Sequence, residues 1–317
     1  MKNFAYLLAQ DLASASKALA GAKSAVAKGG GTDLLDLMKE RVLEPDEVVH
    51  LGRAKRDAAE GELSALLTLA EVADHPWVKE NFPAVAKAAG EAATPQIRHV
   101  GTLGGNLCQH TRCWYFRNPA FACFKRGTGA CSAMDTGAHN RYHAIFPSDR
   151  CASAHPSNLA PALIAVGAKV ACVHPDGNRT LDAELLYETP KEGKLGDTVL
   201  RPGELVRAVA LAPSALARKS TYVEFRERQS FDFAVASVAA ALHMEGGVVK
   251  DARIVLGAVA PVPVRARAAE KALVGKAPDP EAAAAAAVEG AEPLDHNRYK
   301  VVILKRLVRR ALEELVR

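Results

Sequence analysis

Hydrophobic and polar positions along the N-terminal stretch follow helical and extended spacing in turn. The pattern predicts a helix at 14–19, a short strand at 24–27 and a second helix starting at Leu34. The run Gly29-Gly30-Gly31-Thr32-Asp33 separates the strand from the second helix. Either Thr32 or Asp33 is the predicted N-cap of that helix, since threonine and aspartate favour this position.

The same reasoning predicts mixed helices and strands over the rest of the chain. A second glycine turn, Gly101-Thr102-Leu103-Gly104-Gly105-Asn106, precedes a segment rich in Gly, Pro, Asn and Ser that is typical of a loop. Predicted helices lie at 83–93, 159–165, 281–288 and 299–316, and predicted strands at 168–173, 235–243 and 252–259. No internal repeat is evident, and the predicted fold class is α+β.

Composition excludes several broad classes. The chain has 317 residues, of which 49% are hydrophobic and 24% charged, as in ordinary soluble domains. The net charge of +5 is spread along the chain rather than gathered into the basic face of a nucleic-acid binder. We find no secretory signal and no apolar run of about 18 residues for a membrane span.

The two glycine turns are candidate anion sites, because glycine lets backbone N–H groups approach a phosphate closely. Each turn alone is more often a plain loop, but both combine adjacent glycines with a polar donor, Thr32 in one and Thr102 with Asn106 in the other. Neither matches the P-loop pattern or the dinucleotide fingerprint G-x-G-x-x-G. A P-loop NTPase and an ordinary Rossmann dehydrogenase are therefore disfavoured.

Five of the six cysteines fall between positions 108 and 151. Cys113, Cys123, Cys131 and Cys151 are separated by nine, seven and nineteen residues, without the close pairs of zinc or bacterial ferredoxin sites. Spacing alone leaves a metal centre, two disulfides and free thiols open. His110, His139 and His143 could be ligands but more often are surface residues or neighbours of ligands. Cys172, in an apolar strand, and Cys108, beside the glycine turn, are predicted to be packing residues.

Several motifs together resemble the flavin (medium) subunits of the molybdenum hydroxylases, the family of xanthine dehydrogenase and carbon monoxide dehydrogenase. They are, in family order, 30–39 (GGTDLLDLMK), 96–107 (QIRHVGTLGGNL), 155–160 (HPSNLA), 201–206 (RPGELV), 225–240 and 254–260 (IVLGAVA). The resemblance covers the whole chain. It departs from the common pattern at Asn158, where many members have Asp, and at Glu224, where many have Lys.

The resemblance implies a vanillyl-alcohol-oxidase-like FAD-binding domain of two subdomains, 1–55 and 56–215, with an insertion at about 108–153. A C-terminal domain, 216–317, with a small antiparallel sheet would follow, as in the CO dehydrogenase flavoprotein. The residues it assigns to FAD are Lys28, Gly29, Gly30, Gly31, Thr32, Asp33, Leu34, Thr102, Gly104, Gly105, Asn106, Ser157, Asn158, Val206 and Glu224.

The long 108–153 insertion is similar to the subgroup that carries an extra [4Fe–4S] cluster, which includes periplasmic aldehyde oxidoreductases and 4-hydroxybenzoyl-CoA reductases. It implies Cys113, Cys123, Cys131 and Cys151 as cluster ligands. The implied role is an oxidoreductase subunit that passes electrons to an external acceptor. The molybdenum cofactor would lie on a large partner subunit and [2Fe–2S] clusters on a small one, so no catalytic residue is assigned here.

Three functions stay open on this basis. The chain is expected to be the flavin subunit of an aldehyde oxidoreductase, or of a xanthine dehydrogenase or hydroxybenzoyl-CoA reductase-like enzyme. The alternatives are a stand-alone FAD oxidoreductase with a structural metal in the loop and a zinc-stabilised binding module. The expected compartment is the cytoplasm, or the periplasm by co-export with a partner that bears a twin-arginine signal.

Overall fold

The computed structural model describes residues 1–229 and 231–317, and its strands form three small sheets. The N-terminal sheet is parallel, with strand order β1-β3-β2. The Asp11 carboxylate caps the first helix by accepting a hydrogen bond from the Ser14 amide at 2.7 Å. The helices predicted at 14–19 and from Leu34 and the strand predicted at 24–27 are confirmed. The elements are β1 (Ala5–Leu8), α1 (Leu12–Gly21), β2 (Ala25–Lys28), α2 (Leu34–Lys39) and β3 (Glu47–His50).

A second, antiparallel sheet with strand order β4-β7-β5-β6 packs against a group of short helices. Thr68 and Glu71 form a reciprocal capping box at the start of one of them. The elements are β4 (Glu62–Ser64), α3 (Leu69–Asp74), α4 (Pro76–Asn81), α5 (Pro83–Glu91), α6 (Pro95–Arg98), α7 (Leu103–Leu107), α8 (Trp114–Arg117), α9 (Leu159–Ala165), β5 (Lys169–Val173), β6 (Arg179–Asp182) and β7 (Leu205–Ala210).

The C-terminal sheet is antiparallel, with strand order β11-β10-β9-β8, and both of its faces are covered. Alternate residues of a strand face opposite sides, so Ala239 packs against the α5–α9 side while Val238 and Ala240 pack against the last three helices. The elements are α10 (Ala215–Arg218), β8 (Ser220–Phe225), β9 (Ala236–Glu245), β10 (Val248–Gly257), β11 (Val264–Arg265), α11 (Arg267–Leu273), α12 (Pro280–Ala286) and α13 (Tyr299–Val316).

The cysteine segment, residues 108–153, runs between α7 and α9 as predicted for a loop, with only α8 and two short 3₁₀ turns. It is held by the segment between β10 and β11: the amides of Ile145 and Phe146 both donate to the Val259 carbonyl at 2.9 Å. Ile145 is fully buried among C-terminal residues. The prediction that Cys172 is a packing residue is confirmed, because it is buried in β5.

In residues 1–229 and 231–317 we find no helix with the length and apolar character that a membrane crossing requires.

Candidate functional site

The two glycine turns, distant in sequence, pack directly against each other. A Cβ atom added to Gly30 would lie 2.0 Å from the Val100 carbonyl oxygen, and one added to Gly29 would lie 2.9 Å from Thr102 Oγ1. Gly31 has a φ of +81°, a conformation that favours glycine. Only glycine therefore allows this close approach of the two backbones.

The first turn keeps its amides available. Strand β2 ends at Lys28 and α2 begins at Leu34, and between them the amides of residues 29–33 donate to no backbone acceptor in the described chain. Free N–H groups that converge on one point suit a phosphate group. The turns are thus compatible with the diphosphate of a dinucleotide.

A cleft of about 470 Å³ lies over both turns. Four of the residues predicted for cofactor binding do not line it: Gly104, Ser157, Val206 and Glu224. Gly104 packs against Ala65, Val206 is buried in the core beside β5, and Glu224 lies inside the protein. The predicted residues that line the cleft are Lys28, Gly29, Gly30, Gly31, Thr32, Asp33, Leu34, Thr102, Gly105, Asn106 and Asn158.

Asp33 occupies the N-cap position of α2, but its side chain makes no capping bond. Its carboxylate instead accepts hydrogen bonds from the His110 amide at 2.9 Å and from Arg117 at 2.6 Å, and Arg112 lies at 3.2 Å. Burial raises the pKa of Asp33, but the bond from His110 and the charge of Arg112 outweigh it and hold the pKa well below 3.8. The carboxylate therefore ties the cysteine segment to the first glycine turn.

Replacing Asp33 with Asn should lower the free energy of unfolding by about 3 kcal/mol, because the nearly buried Arg117 loses its nearest charge partner and keeps only Glu40 at 3.5 Å. The folded pKa of Asp33 is depressed, so its contribution is present above about pH 4 and is lost as pH falls. Urea unfolding at pH 7 and pH 3 measures both effects. Asp36→Asn is the control: its carboxylate is half-exposed and 3.7 Å from Arg112. Equal stability of the two variants at pH 7 would contradict this role.

Ser157 is buried beside the cleft and makes structural hydrogen bonds there. Its hydroxyl donates to Asn106 Oδ1 at 2.6 Å and accepts from the Ala160 amide at 3.0 Å. Asn106 Oδ1 also accepts from the Leu159 amide at 3.3 Å. These bonds fix the second glycine turn to the start of α9, so Ser157 positions Asn106.

The two departures from the family pattern face each other. Asn158 Nδ2 donates to Glu224 Oε2 at 2.8 Å and to the Tyr222 hydroxyl at 3.1 Å, and Arg226 Nε lies 2.8 Å from Glu224 Oε1. Burial raises the pKa of Glu224. Asn158 and Glu224 thus form one local hydrogen-bonded unit, in which only Asn158 lines the cleft.

A second cavity of about 570 Å³ joins the cleft through a shared wall of Arg112, Asn158, Asp232 and Phe233. Its other side includes Cys113, Trp114 and Tyr142 of the cysteine segment. Arg112 lies over the Phe233 ring at 4.8 Å. Arg112 was not among the predicted site residues. Its position next to Cys113 was the one sequence feature that pointed to it.

The four candidate ligand cysteines span most of the cysteine segment, and three of them contact each other in pairs. Cys123 and Cys131 pair across an isolated antiparallel bridge, and all six cysteines are free thiols. A hydrogen bond from Cys151 lowers the pKa of Cys131 to about 7, and the same bond and burial raise that of Cys151. Burial raises the pKa of Cys113 to about 12. A thiol loses its proton when a metal cation binds to the sulfur in place of that proton. This set of donors therefore fits a thiolate-bound centre.

The histidines differ in their surroundings. His143 is buried, and its Nε2 lies 3.2 Å from Cys113 Sγ. Burial and the charge of Lys300 lower its pKa to about 4. His110 binds Asp33, and His139 is exposed. Over residues 1–229 and 231–317, no three His, Cys, Asp or Glu side chains are grouped closely enough to hold one metal ion.

Comparison with known families agrees with this geometry. Residues 2–213 match the model of the FAD-binding domain in molybdopterin dehydrogenase, and residues 220–315 match the C-terminal domain of the CO dehydrogenase flavoprotein. The chain belongs to the FAD-binding subunits of the molybdenum hydroxylases. These subunits are parts of oxidoreductases, so the predicted family and enzyme class are confirmed.

Two curated relatives match along most of their length. The aldehyde oxidoreductase FAD-binding subunit PaoB of Escherichia coli is 33% identical, over 99% of this chain and 98% of that protein. The carbon monoxide dehydrogenase medium chain of Hydrogenophaga pseudoflava is 27% identical, over 89% of this chain and 86% of that one.

Solved structures share the fold of this flavin subunit. A carbon monoxide dehydrogenase from H. pseudoflava that lacks the Mo-pyranopterin moiety matches with a TM-score of 0.75 and 25% identity, over 98% of this chain and 96% of that one. Quinoline 2-oxidoreductase from Pseudomonas putida 86 matches with a TM-score of 0.74 and 25% identity, over 100% and 98%. The predicted α+β architecture with a small antiparallel C-terminal sheet is therefore confirmed.

Proposed function

We propose that the chain carries FAD and a [4Fe–4S] cluster and transfers electrons within an aldehyde-oxidising molybdenum hydroxylase. Its partners would be a large subunit with the molybdenum cofactor and a small subunit with [2Fe–2S] clusters. Full-length similarity to an aldehyde oxidoreductase FAD-binding subunit supports the aldehyde class. Similarity to the medium chain of a carbon monoxide dehydrogenase supports a multisubunit enzyme.

One observation carries the proposal: Cys113 lies in the wall of the cavity that adjoins the glycine-turn cleft. An FAD whose diphosphate rests on Gly29–Thr32 and Thr102–Asn106 would extend along the shared wall toward the cysteine segment. Bound flavin supplies a carrier that exchanges electrons singly or in pairs. Two redox groups in neighbouring cavities suit an electron-transfer subunit.

The residues of the chain have separate roles in this proposal. The amides of 29–33 and the side chain of Thr102 hold the diphosphate. Asn106 and Asn158 line the same cleft, Ser157 positions Asn106, and Glu224 positions Asn158. Cys113, Cys123, Cys131 and Cys151 hold the cluster. Phe233 and Trp114 supply aromatic surface to the wall of the second cavity.

Stopped-flow mixing tests the function. In the complex with its two partner subunits, an aldehyde should bleach the flavin absorbance, and the isolated chain should show no bleaching. Substrate oxidation belongs to the partner in this account. Aldehyde turnover by the isolated chain would instead support the stand-alone FAD oxidoreductase with a structural metal.

A further inference from the structure

Lys300, in the first turn of α13, is a buried cation without an anionic partner. Its side chain has no exposed surface, and within residues 1–229 and 231–317 no carboxylate forms an ion pair with it. Burying a charge costs several kcal/mol unless it is paired. Burial lowers the pKa of Lys300 to about 7. The other buried lysine of this region, Lys125, has Asp197 at 2.7 Å.

The ammonium group of Lys300 binds the backbone of the cysteine segment. Its Nζ donates to the carbonyls of His143 and Ala258 at 2.8 Å and of Tyr142 at 3.3 Å. The ring of His143 lies 3.2 Å from Cys113 Sγ. His143 therefore lies between the Lys300 ammonium group and Cys113, a proposed cluster ligand.

Holding these carbonyls does not require a charge. One helical turn before Lys300, the buried Asn297 side chain donates to the carbonyls of His143 at 3.2 Å and Ala144 at 2.9 Å. A neutral amide thus makes the same kind of hydrogen bond to the same stretch of the cysteine segment. The charge of Lys300 needs a separate explanation.

We propose that Lys300 is the counter-cation of the cluster site and raises its reduction potential. This inference rests on the proposed function. Four thiolates around a [4Fe–4S] core give a net negative charge, which a buried ammonium nearby would balance in a medium of low dielectric constant. Reduction adds one more negative charge, so the cation stabilises the reduced form more than the oxidised form.

The test is an EPR-monitored redox titration of the cluster in the assembled complex. Lys300→Gln keeps an N–H donor and removes the charge, so the reduction equilibrium should shift about tenfold toward the oxidised form, which is a fall of ~59 mV. Lys300→Met, which fills the channel of the lysine stem, should shift it in the same direction. The control, Lys305→Gln, changes an exposed residue of the same helix that pairs with Glu281, and should leave the potential unchanged.

The outcomes separate the two claims. A wild-type complex without an EPR signal from a [4Fe–4S] cluster, distinct from the signals of the [2Fe–2S] clusters, would overturn the proposed function. A cluster that titrates at the wild-type potential in Lys300→Gln would overturn the counter-cation role alone. Failure of both Lys300 variants to load a cluster that the wild type and Lys305→Gln load would also overturn it, since Lys300 would then be a structural residue.

Discussion

Replacing Cys131 with Ser is expected to remove the iron–sulfur cluster and to leave FAD bound. The side chain of Cys131 forms a hydrogen bond with that of Cys151, and its backbone pairs with that of Cys123. Cys131 therefore contacts two other candidate ligands. A serine hydroxyl is a poor substitute for a soft thiolate ligand. The measurement is iron and flavin content per chain after anaerobic purification, which should fall from about four irons to nearly none at unchanged flavin.

The matched control is Cys172→Ala, which changes a cysteine buried in β5 and should retain iron and flavin. Cys113→Ser, Cys123→Ser and Cys151→Ser should behave as Cys131→Ser does. Retention of the cluster in every one of the four serine variants would show that the ligand set is wrong.

Replacing Gly30 with Ala is expected to cost FAD affinity by at least about a hundredfold, near 2.8 kcal/mol. The added Cβ would lie 2.0 Å from the Val100 carbonyl oxygen, a distance that a real structure does not allow, so the two turns must separate. Their separation spreads the amides that would hold the diphosphate. Fluorescence titration of the deflavinated complex with FAD measures the dissociation constant.

Gly196→Ala is the control for this prediction, because a Cβ at Gly196 meets nothing within 4 Å. Thermal unfolding of both variants separates a loss of affinity from a loss of fold. A folded Gly30→Ala chain that binds FAD as tightly as the wild type would contradict the assignment of the cleft.

Long periodic elements were predictable from the sequence, since their patterns extend over several turns. The helices at 159–165 and 299–316 have the predicted bounds, and the predicted strand at 235–243 is observed as Ala236–Glu245. The helices α3, α4, α6 and α7 have only four to six residues each, too few for a periodic signal to emerge. The domain boundaries at 55 and 215 stay predictions.

The candidate site was predictable in its motifs but not in its contacts. The two glycine turns were expected to act together, yet their packing through Gly30 and Val100 depends on tertiary structure. The pairing of Asn158 with Glu224 joins positions 66 residues apart. The burial of Lys300 was not predictable, because helical spacing alone does not show that the cysteine segment covers one end of α13.

In the proposed function, this one chain holds both a flavin and an iron–sulfur cluster. Elemental and flavin analysis of the anaerobically purified complex, with the subunits resolved afterwards, measures both at once. We expect one FAD and about four irons, with matching acid-labile sulfide, on this chain. One zinc without flavin, or flavin without iron, would contradict the account.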